Sequence, residues 1–450
     1  MSNFFLKLEF FGGLLLERNS QERWELNFET ALFLFLHRYF SENSDKISII
    51  KAVLKKDDLQ IHFEILNICN DFDSNYDLES CLSVDKAICV VKGIYDEIKT
   101  KRYLSFPESV SIYPTLDCQL NCKFCFIDPK IRSINSSSIS DNIDWKKIIN
   151  ECVKNGVLSF SILGGEPFLY EGLYDILTEL QSSGVKSTIT TNGVHVDDNV
   201  FELIINSDSI IPIFSIQALN ERNMELMSID YNVSISNLRR FIERDKLCRV
   251  NSVLTTQSDE EIFEIIDFCV SNGIKRYSLA FFMQNHEGLN AAHGNSLEHI
   301  RDFQERLNRY LHKMDYNNKI SVPIEGCVLY SSYHSDEAHG LVETEFDRLF
   351  YGCECGNMKL DILPNGDVYP CVAFNGTSVK DSILNYSSVL ELWHNSPILS
   401  DFRNIKNNNE PYECSGCNFL SFCRGGCPLR NFKKYGTCHS NRDVICNASI

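Results

Sequence analysis

The chain of 450 residues is poor in positive charge and has no long apolar run. It carries 43 Lys and Arg against 61 Asp and Glu, a net charge of −18. This balance argues against nucleic acid as a partner, because phosphate binding needs a basic face. No apolar run approaches the roughly 18 residues of a membrane-spanning helix, so we expect no membrane partner. The first residues carry charges at Lys7 and Glu9 and lack the small-residue cleavage site of a secretory signal.

Cysteine, in contrast, is abundant, with 19 in the chain. Without an export signal, we expect a cytoplasmic protein in a reducing compartment, where cysteines are more often metal ligands than disulfides. Three cysteines lie in one short loop, and ten lie between Cys327 and Cys446. The other six are predicted to be buried, inert thiols; they are Cys69, Cys81, Cys89, Cys152, Cys248 and Cys269.

The short loop holds Cys118, Cys122 and Cys125 in the spacing C-x3-C-x2-C. The apolar run from Val110 to Tyr113 predicts a strand that leads directly into it. Thiolates are soft ligands suited to iron–sulfur clusters or zinc, and three of them leave a fourth metal position open for bound chemistry. The alternative is a zinc knuckle that takes its fourth ligand from elsewhere in the chain.

The same loop, with Phe124 before its last cysteine, resembles the signature of the radical S-adenosylmethionine (SAM) superfamily. The resemblance implies that Cys118, Cys122 and Cys125 hold a [4Fe–4S] cluster whose open iron chelates SAM. It also implies that one electron from the cluster cleaves SAM to methionine and a 5′-deoxyadenosyl radical. That radical would abstract a hydrogen atom from the substrate.

Strand-like and helix-like segments alternate after residue 106, which predicts six βα units and a parallel sheet. Its expected shape is a partial (β/α)6 barrel over residues 106–314. After the opening strand, the expected strands are Val157–Leu163, Val185–Thr191, Ile210–Gln217, Arg249–Thr255 and Ile274–Phe282.

Gly164-Gly165-Glu166 follows the second predicted strand of this barrel. Glycines let the backbone approach a ligand closely, and a carboxylate can accept a hydrogen bond from an ammonium group. The motif resembles the family's GGE turn, which binds the methionine amino group of SAM.

Further polar residues stand where the third and fourth predicted strands end, the edge at which ligands bind to parallel sheets. They are Thr191, Asn192, Ser215 and Gln217. They resemble the family's contacts to the ribose and methionine carboxylate of SAM, although many relatives have Asp in place of Gln217. The backbone of Phe124 would contact adenine. A structural turn is the alternative for Thr191 and Asn192, and no side chain stands out as a general base.

Residues 315–450 carry a second cysteine-rich pattern that resembles the SPASM domain, which holds two auxiliary [4Fe–4S] clusters. The resemblance implies that the first auxiliary cluster is held by Cys327, Cys353, Cys371 and Cys427. The second would be held by Cys414, Cys417, Cys423 and Cys446. Cys355 could replace Cys353, and Cys438 competes with Cys446. A pair of zinc ribbons is the other interpretation of such C-x2-C pairs.

The pattern of residues 1–85 predicts a winged-helix-like α+β domain of small strands followed by helices. Residues 86–105 are predicted to form a linker helix. The segment resembles the RiPP recognition element, which binds the leader of a ribosomally made precursor peptide. The implied groove is lined by Arg23, Trp24, Glu25 and Leu26 and by a third helix from Ile61 to Phe72. The alternative is a packing or dimerisation domain.

Together these resemblances predict an α/β enzyme that installs an intramolecular thioether or carbon–carbon crosslink in a ribosomal precursor peptide. A flavodoxin or ferredoxin would supply electrons, and the auxiliary clusters would accept the surplus electron. One rival is a formylglycine-forming sulfatase maturase, which has Asp where Val372 follows Cys371 here. The other rival is a non-catalytic electron-transfer or peptide-binding protein.

Overall fold

The computed structural model contains a four-stranded sheet near the N-terminus and a ten-stranded sheet in the rest of the chain. No described helix has the length and apolar character needed to cross a membrane. The structure describes residues 2–78, 82–101, 103–128, 131, 143–282, 297–325, 353–408, 412–417, 423, 425–438, 442–443 and 446.

The N-terminal sheet has the order β3-β2-β1-β4, so β3 is an outer strand. Its strands are β1 (Phe4–Glu9), β2 (Gly12–Glu17), β3 (Arg23–Leu26) and β4 (Asp73–Ser74). Between β1 and β2 the chain reverses at Gly12, which has φ +140. A Cβ there would lie 2.0 Å from the carbonyl oxygen of Leu26, so only glycine allows this turn.

The helices of this unit are α1 (Phe28–His37), α2 (Asn43–Leu54), α3 (Ile65–Ile68) and α4 (Val84–Ile98). Asn27 begins α1 because its side chain accepts a hydrogen bond from the backbone N–H of Thr30, at 2.8 Å. The prediction of a helix from Ile61 to Phe72 is wrong, since only the single turn α3 forms there.

Helix α4 belongs to the N-terminal unit by its packing, although the predicted boundary at residue 85 assigned it to a linker. Ala87, Val91, Ile94 and Ile98 are buried in the same apolar cluster as the inner face of α1. This repeat at intervals of three and four residues is the buried stripe of an amphipathic helix. The N-terminal unit therefore extends to Ile98.

The large sheet confirms the predicted α/β fold. Strands β5 to β10 lie side by side in chain order and pair in parallel. They are β5 (Ser109–Ile112), β6 (Ser159–Ile162), β7 (Lys186–Thr191), β8 (Ile210–Ser215), β9 (Arg249–Leu254) and β10 (Tyr277–Phe281).

Helices connect these strands and bury their apolar faces against the sheet, with the residues of β5 to β10 at the centre of one large cluster. They are α5 (Trp145–Lys154), α6 (Leu173–Ser183), α7 (Asp198–Ile205), α8 (Arg222–Met227), α9 (Tyr231–Ile242), α10 (Asp259–Ser271) and α11 (Leu297–Lys313).

The sheet continues beyond both ends of the barrel. On one side β11 (Ile324–Glu325) pairs with β10, so the barrel sheet extends past the predicted boundary at residue 314. On the other side three strands follow β5; they are β12 (Lys359–Ile362), β13 (Asp367–Tyr369) and β14 (Asp381–Ser382). The C-terminal helices are α12 (Val389–Asn395), α13 (Pro397–Asn408) and α14 (Pro428–Tyr435). The cysteine-rich region is thus built onto the barrel sheet.

The N-terminal sheet packs on the barrel through a buried interface. Phe5 and Leu14 share an apolar cluster with Leu158 of the barrel. The Lys7 ammonium, fully buried, donates to the carbonyl oxygen of Phe106 at 3.1 Å. Arg23 of β3 forms an ion pair with Glu108, just before β5. Because charges are buried on both sides, separating the two units would leave them unpaired.

Candidate active site and cysteine clusters

The cysteine loop from Cys118 to Cys125 follows β5 at the carboxyl edge of the parallel sheet. The backbone N–H of Cys125 donates to the carbonyl of Cys122 at 3.2 Å, which closes the loop into a tight turn. Asn192, just after β7, holds its side-chain amide 3.8 Å from the Cys118 sulfur. The structure thus brings the predicted loop and one predicted SAM residue together.

Gly164 and Gly165 form a turn that presses directly against this loop's lead-in. A Cβ on Gly164 would lie 2.3 Å from the carbonyl oxygen of Thr115, and one on Gly165 would lie 2.1 Å from that of Asp117. The backbone N–H of Glu166 donates to the Asp117 carbonyl at 2.7 Å. Glycine is therefore required here by the close approach of two backbones.

Glu166 is buried, with 1% of its surface exposed, and its carboxylate serves the protein itself. It accepts hydrogen bonds from the Thr191 hydroxyl, from the Asn192 N–H at 2.8 Å and from the Phe168 N–H. The carboxylate therefore fixes the turn after β7 relative to the turn after β6. The sequence predicted an ammonium contact, and the structure adds this positioning role.

Burial raises the pKa of Glu166 to about 7, against the opposing effect of its hydrogen bonds. The folded chain therefore holds this proton more tightly than the unfolded chain does. The stability that the group contributes is fully present below its ordinary pKa of 4.5 and is lost as the pH rises through about 7.

Ser215 and Gln217 lie at the end of β8 in different environments. The Ser215 side chain faces the barrel interior and donates to the Asn251 side chain at 3.0 Å. Gln217 is fully buried, and its side-chain oxygen accepts from the Val253 N–H at 2.9 Å. Its side-chain nitrogen is buried without a hydrogen-bond partner among the described residues. That orphaned donor leaves room for a ligand acceptor at this strand end.

Phe124 lies in a small apolar cluster with Cys118, Cys122, Met227 and Val194. Helix α8 contributes to this cluster and also accepts from the loop, since the Lys123 N–H donates to the Leu226 carbonyl at 3.0 Å. No local pattern in the sequence predicts this contact, because it joins residues about a hundred positions apart.

In the C-terminal region, Cys353, Cys355 and Cys371 lie together. The partly buried Cys355 thiol shares hydrogen bonds with the other two, and these contacts are the main reason its pKa is raised. Burial raises the pKa of Cys427 to about 12, and Cys353 adds to the effect because it lies close by. Cys327 lies outside the described residues. Cys353 and Cys355 are thus both placed to serve as a ligand of the predicted first auxiliary cluster.

The second predicted set is also gathered at one place. Burial raises the pKa of the Cys423 thiol, and Cys446, Cys414 and Cys417 all act on it in the same direction. The pKa of Cys438 is raised by burial alone. This grouping favours Cys446 over Cys438 as the fourth member.

The donor chemistry of these groups fits iron–sulfur clusters. Within the described part of the chain, no three His, Cys, Asp or Glu side chains are arranged around a single ion. A cubane makes a different demand, since each of four cysteines binds its own iron. The C-terminal thiols of each group lie close enough to raise one another's pKa. Each group therefore offers several cysteine sulfurs in one place, as such a cluster requires.

Two polar residues that the sequence did not single out hold these regions in place. Asn375 donates to the Phe126 carbonyl at 2.8 Å and accepts from the Asp128 N–H at 2.7 Å. It therefore joins the segment directly after the cysteine loop to the C-terminal region. Asp443 is buried, accepts from the Cys427 N–H at 2.6 Å and pairs with Arg430. Neither residue lies in a recognisable motif, and only the fold brings them to the cysteines.

Comparison with known proteins agrees with this geometry. Residues 112–269 match the radical SAM superfamily, and residues 353–418 match an iron–sulfur cluster-binding domain called SPASM. The structure of SuiB from Streptococcus suis superposes with a TM-score of 0.80 at 30% identity, over 100% of this chain and 99% of SuiB. The chain belongs to the radical SAM superfamily. Its SPASM match lies C-terminal to its radical SAM match.

Two further relatives of this radical SAM protein are informative. The structure of SuiB bound to its precursor peptide SuiA superposes with a TM-score of 0.82 at 29% identity, over 99% of each chain. PqqA peptide cyclase from Bradyrhizobium diazoefficiens is 22% identical over 78% of this chain and 88% of its own length. The first was determined with a precursor peptide bound, and the second is named as a peptide cyclase.

We predict that Glu166→Gln weakens SAM binding in this radical SAM protein. An amide has one acceptor oxygen where the carboxylate now receives three donors, so the turn at Thr191 and Asn192 loses part of its anchor. Removing hydrogen bonds to a charged group predicts a loss of about ten- to a hundredfold in SAM affinity. Equilibrium dialysis with labelled SAM measures it, with iron content as the check on folding. Unchanged affinity would contradict the positioning role.

Proposed function

We propose that the chain is a radical SAM peptide maturase, which installs an intramolecular thioether or carbon–carbon crosslink in a ribosomally made precursor peptide. The observation that carries the proposal is the convergence of the three-cysteine loop, the Gly164-Gly165-Glu166 turn and Asn192 at one edge of the barrel. The likeness to SuiB, whose structure was determined with a precursor peptide, supports the substrate class.

Each part of this edge has a separate task. Cys118, Cys122 and Cys125 would hold a [4Fe–4S] cluster, and the glycine turn would admit the amino acid part of SAM. When bound, these groups supply the 5′-deoxyadenosyl radical that abstracts a hydrogen atom from the peptide. The apolar surroundings of Phe124 and Met227 would keep water from the site, which protects a reactive intermediate from side reactions.

The N-terminal unit would bind the leader of the peptide as an added strand beside β3. An outer strand offers its backbone amides to another chain, and side chains nearby add specificity. The Phe28 ring, just after β3, meets Tyr95 of α4 edge-on at 5.0 Å. Helix α4 thus approaches the chain just after β3, and we assign to it the flanking role that the sequence analysis gave to Ile61–Phe72. Trp24 and Leu26 share one face of β3; Leu26 is buried in the core, while Trp24 packs against that core and keeps part of its ring exposed for contact with the leader.

The SPASM region would hold two auxiliary clusters, and this predicts the iron content. The anaerobically reconstituted protein should contain about twelve irons, from three four-iron cubanes. A variant with Cys118, Cys122 and Cys125 all replaced by Ala should keep about eight, because the other two sets lie elsewhere in the fold. Colorimetric iron analysis measures both. Stoichiometric zinc without iron would support zinc ribbons instead.

Co-expression tests the proposed function itself. The short open reading frames beside the gene are expressed one at a time with the enzyme, and each peptide is analysed by mass spectrometry. A crosslink removes two hydrogen atoms, so the product should be lighter by that mass, and fragmentation should stop within the linked segment. A flavodoxin or ferredoxin system of the host would supply electrons. A peptide of unchanged mass in every case would count against the proposal.

A further inference from the structure

The interior of the barrel is a polar cavity with a volume of about 550 Å³. Strands β6 to β10 line it, and much of its wall consists of Ser, Thr and Asn side chains, while β8 contributes Ile211 and Ile213. Thr188 donates to Ser161 at 3.3 Å across neighbouring strands, and Ser215 donates to Asn251. Such walls can hydrogen-bond to a peptide backbone, as a substrate cavity for an extended chain requires.

Positive charge collects at the amino-terminal mouth of this cavity, in a chain whose net charge is −18. Lys186 begins β7, Arg249 begins β9, and Arg276 directly precedes β10. The carboxylate of Glu325 also lines the cavity and forms an ion pair with Arg276. Three cations thus face one acidic side chain.

Of these three cations, Arg249 has no hydrogen-bond or ion-pair partner among the described residues. Lys186 donates to the carbonyl of Asp208 at 3.2 Å, and Arg276 is paired with Glu325. The Arg249 guanidinium makes no hydrogen bond or ion pair with any residue in the described ranges, although it is half-buried. Burial and the nearby Arg276 both lower its pKa, while Glu325 opposes them. A half-buried cation of this kind gains from an added anion.

We propose that Arg249, with Lys186 and Arg276 beside it, binds a carboxylate of the precursor peptide at the amino-terminal mouth of the barrel. The inference rests on the proposed function and adds a substrate feature to it. A guanidinium presents a planar pair of donors that matches a carboxylate, and this pairing fixes the orientation as well as the position of the bound group. The carboxylate belongs either to an acidic side chain or to the peptide's C-terminus.

The geometry also gives the spacing along the peptide. Lys186 and Thr191 mark the two ends of β7, five strand steps apart, or roughly 17 Å at about 3.3 Å per residue. An extended peptide in the cavity covers a similar length per residue. The carboxylate should therefore lie about four to six residues from the residue that is attacked.

The N-terminal unit reaches the same mouth. The turn that precedes β3 lines the cavity, and Gln21 within it donates to the Leu158 carbonyl at 3.3 Å. Arg23, the first residue of β3, pairs with Glu108 beside the amino-terminal end of β5. A leader bound along β3 would thus deliver the following segment directly to the cationic mouth.

The test uses the full-length reconstituted enzyme and the precursor peptide encoded beside its gene. Arg249→Gln should raise the KM for the peptide by about tenfold or more, the loss of a charge-assisted pair, while Arg249→Lys recovers part of the loss. Arg239→Gln is the matched control, since it removes one arginine charge from an exposed position on the outer helix α9. Iron content confirms that each variant is folded.

Changes in the peptide identify the source of the carboxylate. Asp→Asn and Glu→Gln replacements, one at a time, and amidation of the C-terminus are each assayed with wild type and with Arg249→Gln. One change should cost the wild type the same factor and cost the variant nothing further. If no change does so, or if Arg249→Gln equals Arg239→Gln, the inference is wrong. A wild type that leaves the peptide unmodified while cleaving SAM would instead overturn the proposed function.

Discussion

Replacing Cys118, Cys122 and Cys125 together by Ala should abolish the formation of 5′-deoxyadenosine from SAM under dithionite. The three thiols are the cysteine donors of the loop, and alanine cannot bind iron. Because backbone hydrogen bonds from Lys123 to Leu226 and from Glu166 to Asp117 hold the loop in place, the fold should survive the change. Chromatographic detection of 5′-deoxyadenosine measures the loss directly.

The matched control for the loop is Cys152→Ala. Cys152 is a fully buried thiol on α5 within the barrel's apolar cluster, so its replacement tests the loss of a thiol away from the loop. This control should retain 5′-deoxyadenosine formation. If the triple variant formed 5′-deoxyadenosine at the wild-type rate, SAM cleavage would not depend on the loop. The zinc-knuckle interpretation would then gain ground.

Separating the leader from the core of the precursor peptide should slow modification of the core by about a hundredfold or more at equal concentration. A leader held on β3 converts capture of the core into an intramolecular event, and such tethering raises apparent affinity by about 10² to 10⁴. The test belongs on the peptide, because deleting the N-terminal unit would remove Phe5 and Leu14 and expose Leu158 and Met358, which pack against them. Modification of the leaderless core at the full rate would contradict the tether.

A variant of the enzyme, Glu25→Pro in the outer strand β3, tests the same leader-binding prediction. Glu17 N–H donates to the Glu22 carbonyl at 2.9 Å, so residues 22, 24 and 26 face β2 in the ladder, and the amide of Glu25 faces away from it. Proline removes that outward donor and keeps the inner bonds, as edge strands tolerate. Leader affinity, measured by fluorescence anisotropy, should fall by about tenfold. Glu25→Ala removes the same side chain but keeps the amide, so Glu25→Pro should bind the leader more weakly than Glu25→Ala does.

Local signals in the sequence were sufficient for the barrel and for the C-terminal hairpin. The strands of the barrel appear in the predicted order along the chain. Each was recognisable because it is a short apolar run between helical segments. Asn365-Gly366, a dipeptide typical of hairpin turns, makes the turn between β12 and β13, with Gly366 at φ +82, a conformation that few other residues adopt. These features depend on neighbours within a few residues, which the sequence displays.

Long-range contacts explain where the sequence-based predictions failed. The stretch after Ile61 is apolar enough for a helix, yet its backbone is used to close α1: the His62 N–H donates to the Thr30 hydroxyl, and Gln60 accepts from Asn27. The predicted groove combined residues from both faces of β3, although strand residues alternate and Leu26 is buried.

The active site shows the same limit. Its residue types and spacing identified the loop and the glycine turn, because those motifs are contiguous. The carboxylate of Glu166 reaches Asn192 across 26 positions of chain, and Asn375 reaches the loop across 249. No local pattern reports such pairs, since the fold alone brings them together.

The most direct measurement of the central claim follows hydrogen from the peptide into 5′-deoxyadenosine. The reconstituted enzyme is given dithionite, SAM and a precursor peptide that carries deuterium at its carbon-bound positions. We predict that deuterium appears in 5′-deoxyadenosine in proportion to a crosslinked peptide that has lost two hydrogen isotopes. Unlabelled 5′-deoxyadenosine beside an unchanged peptide would contradict the assignment of this chain as a radical SAM peptide maturase.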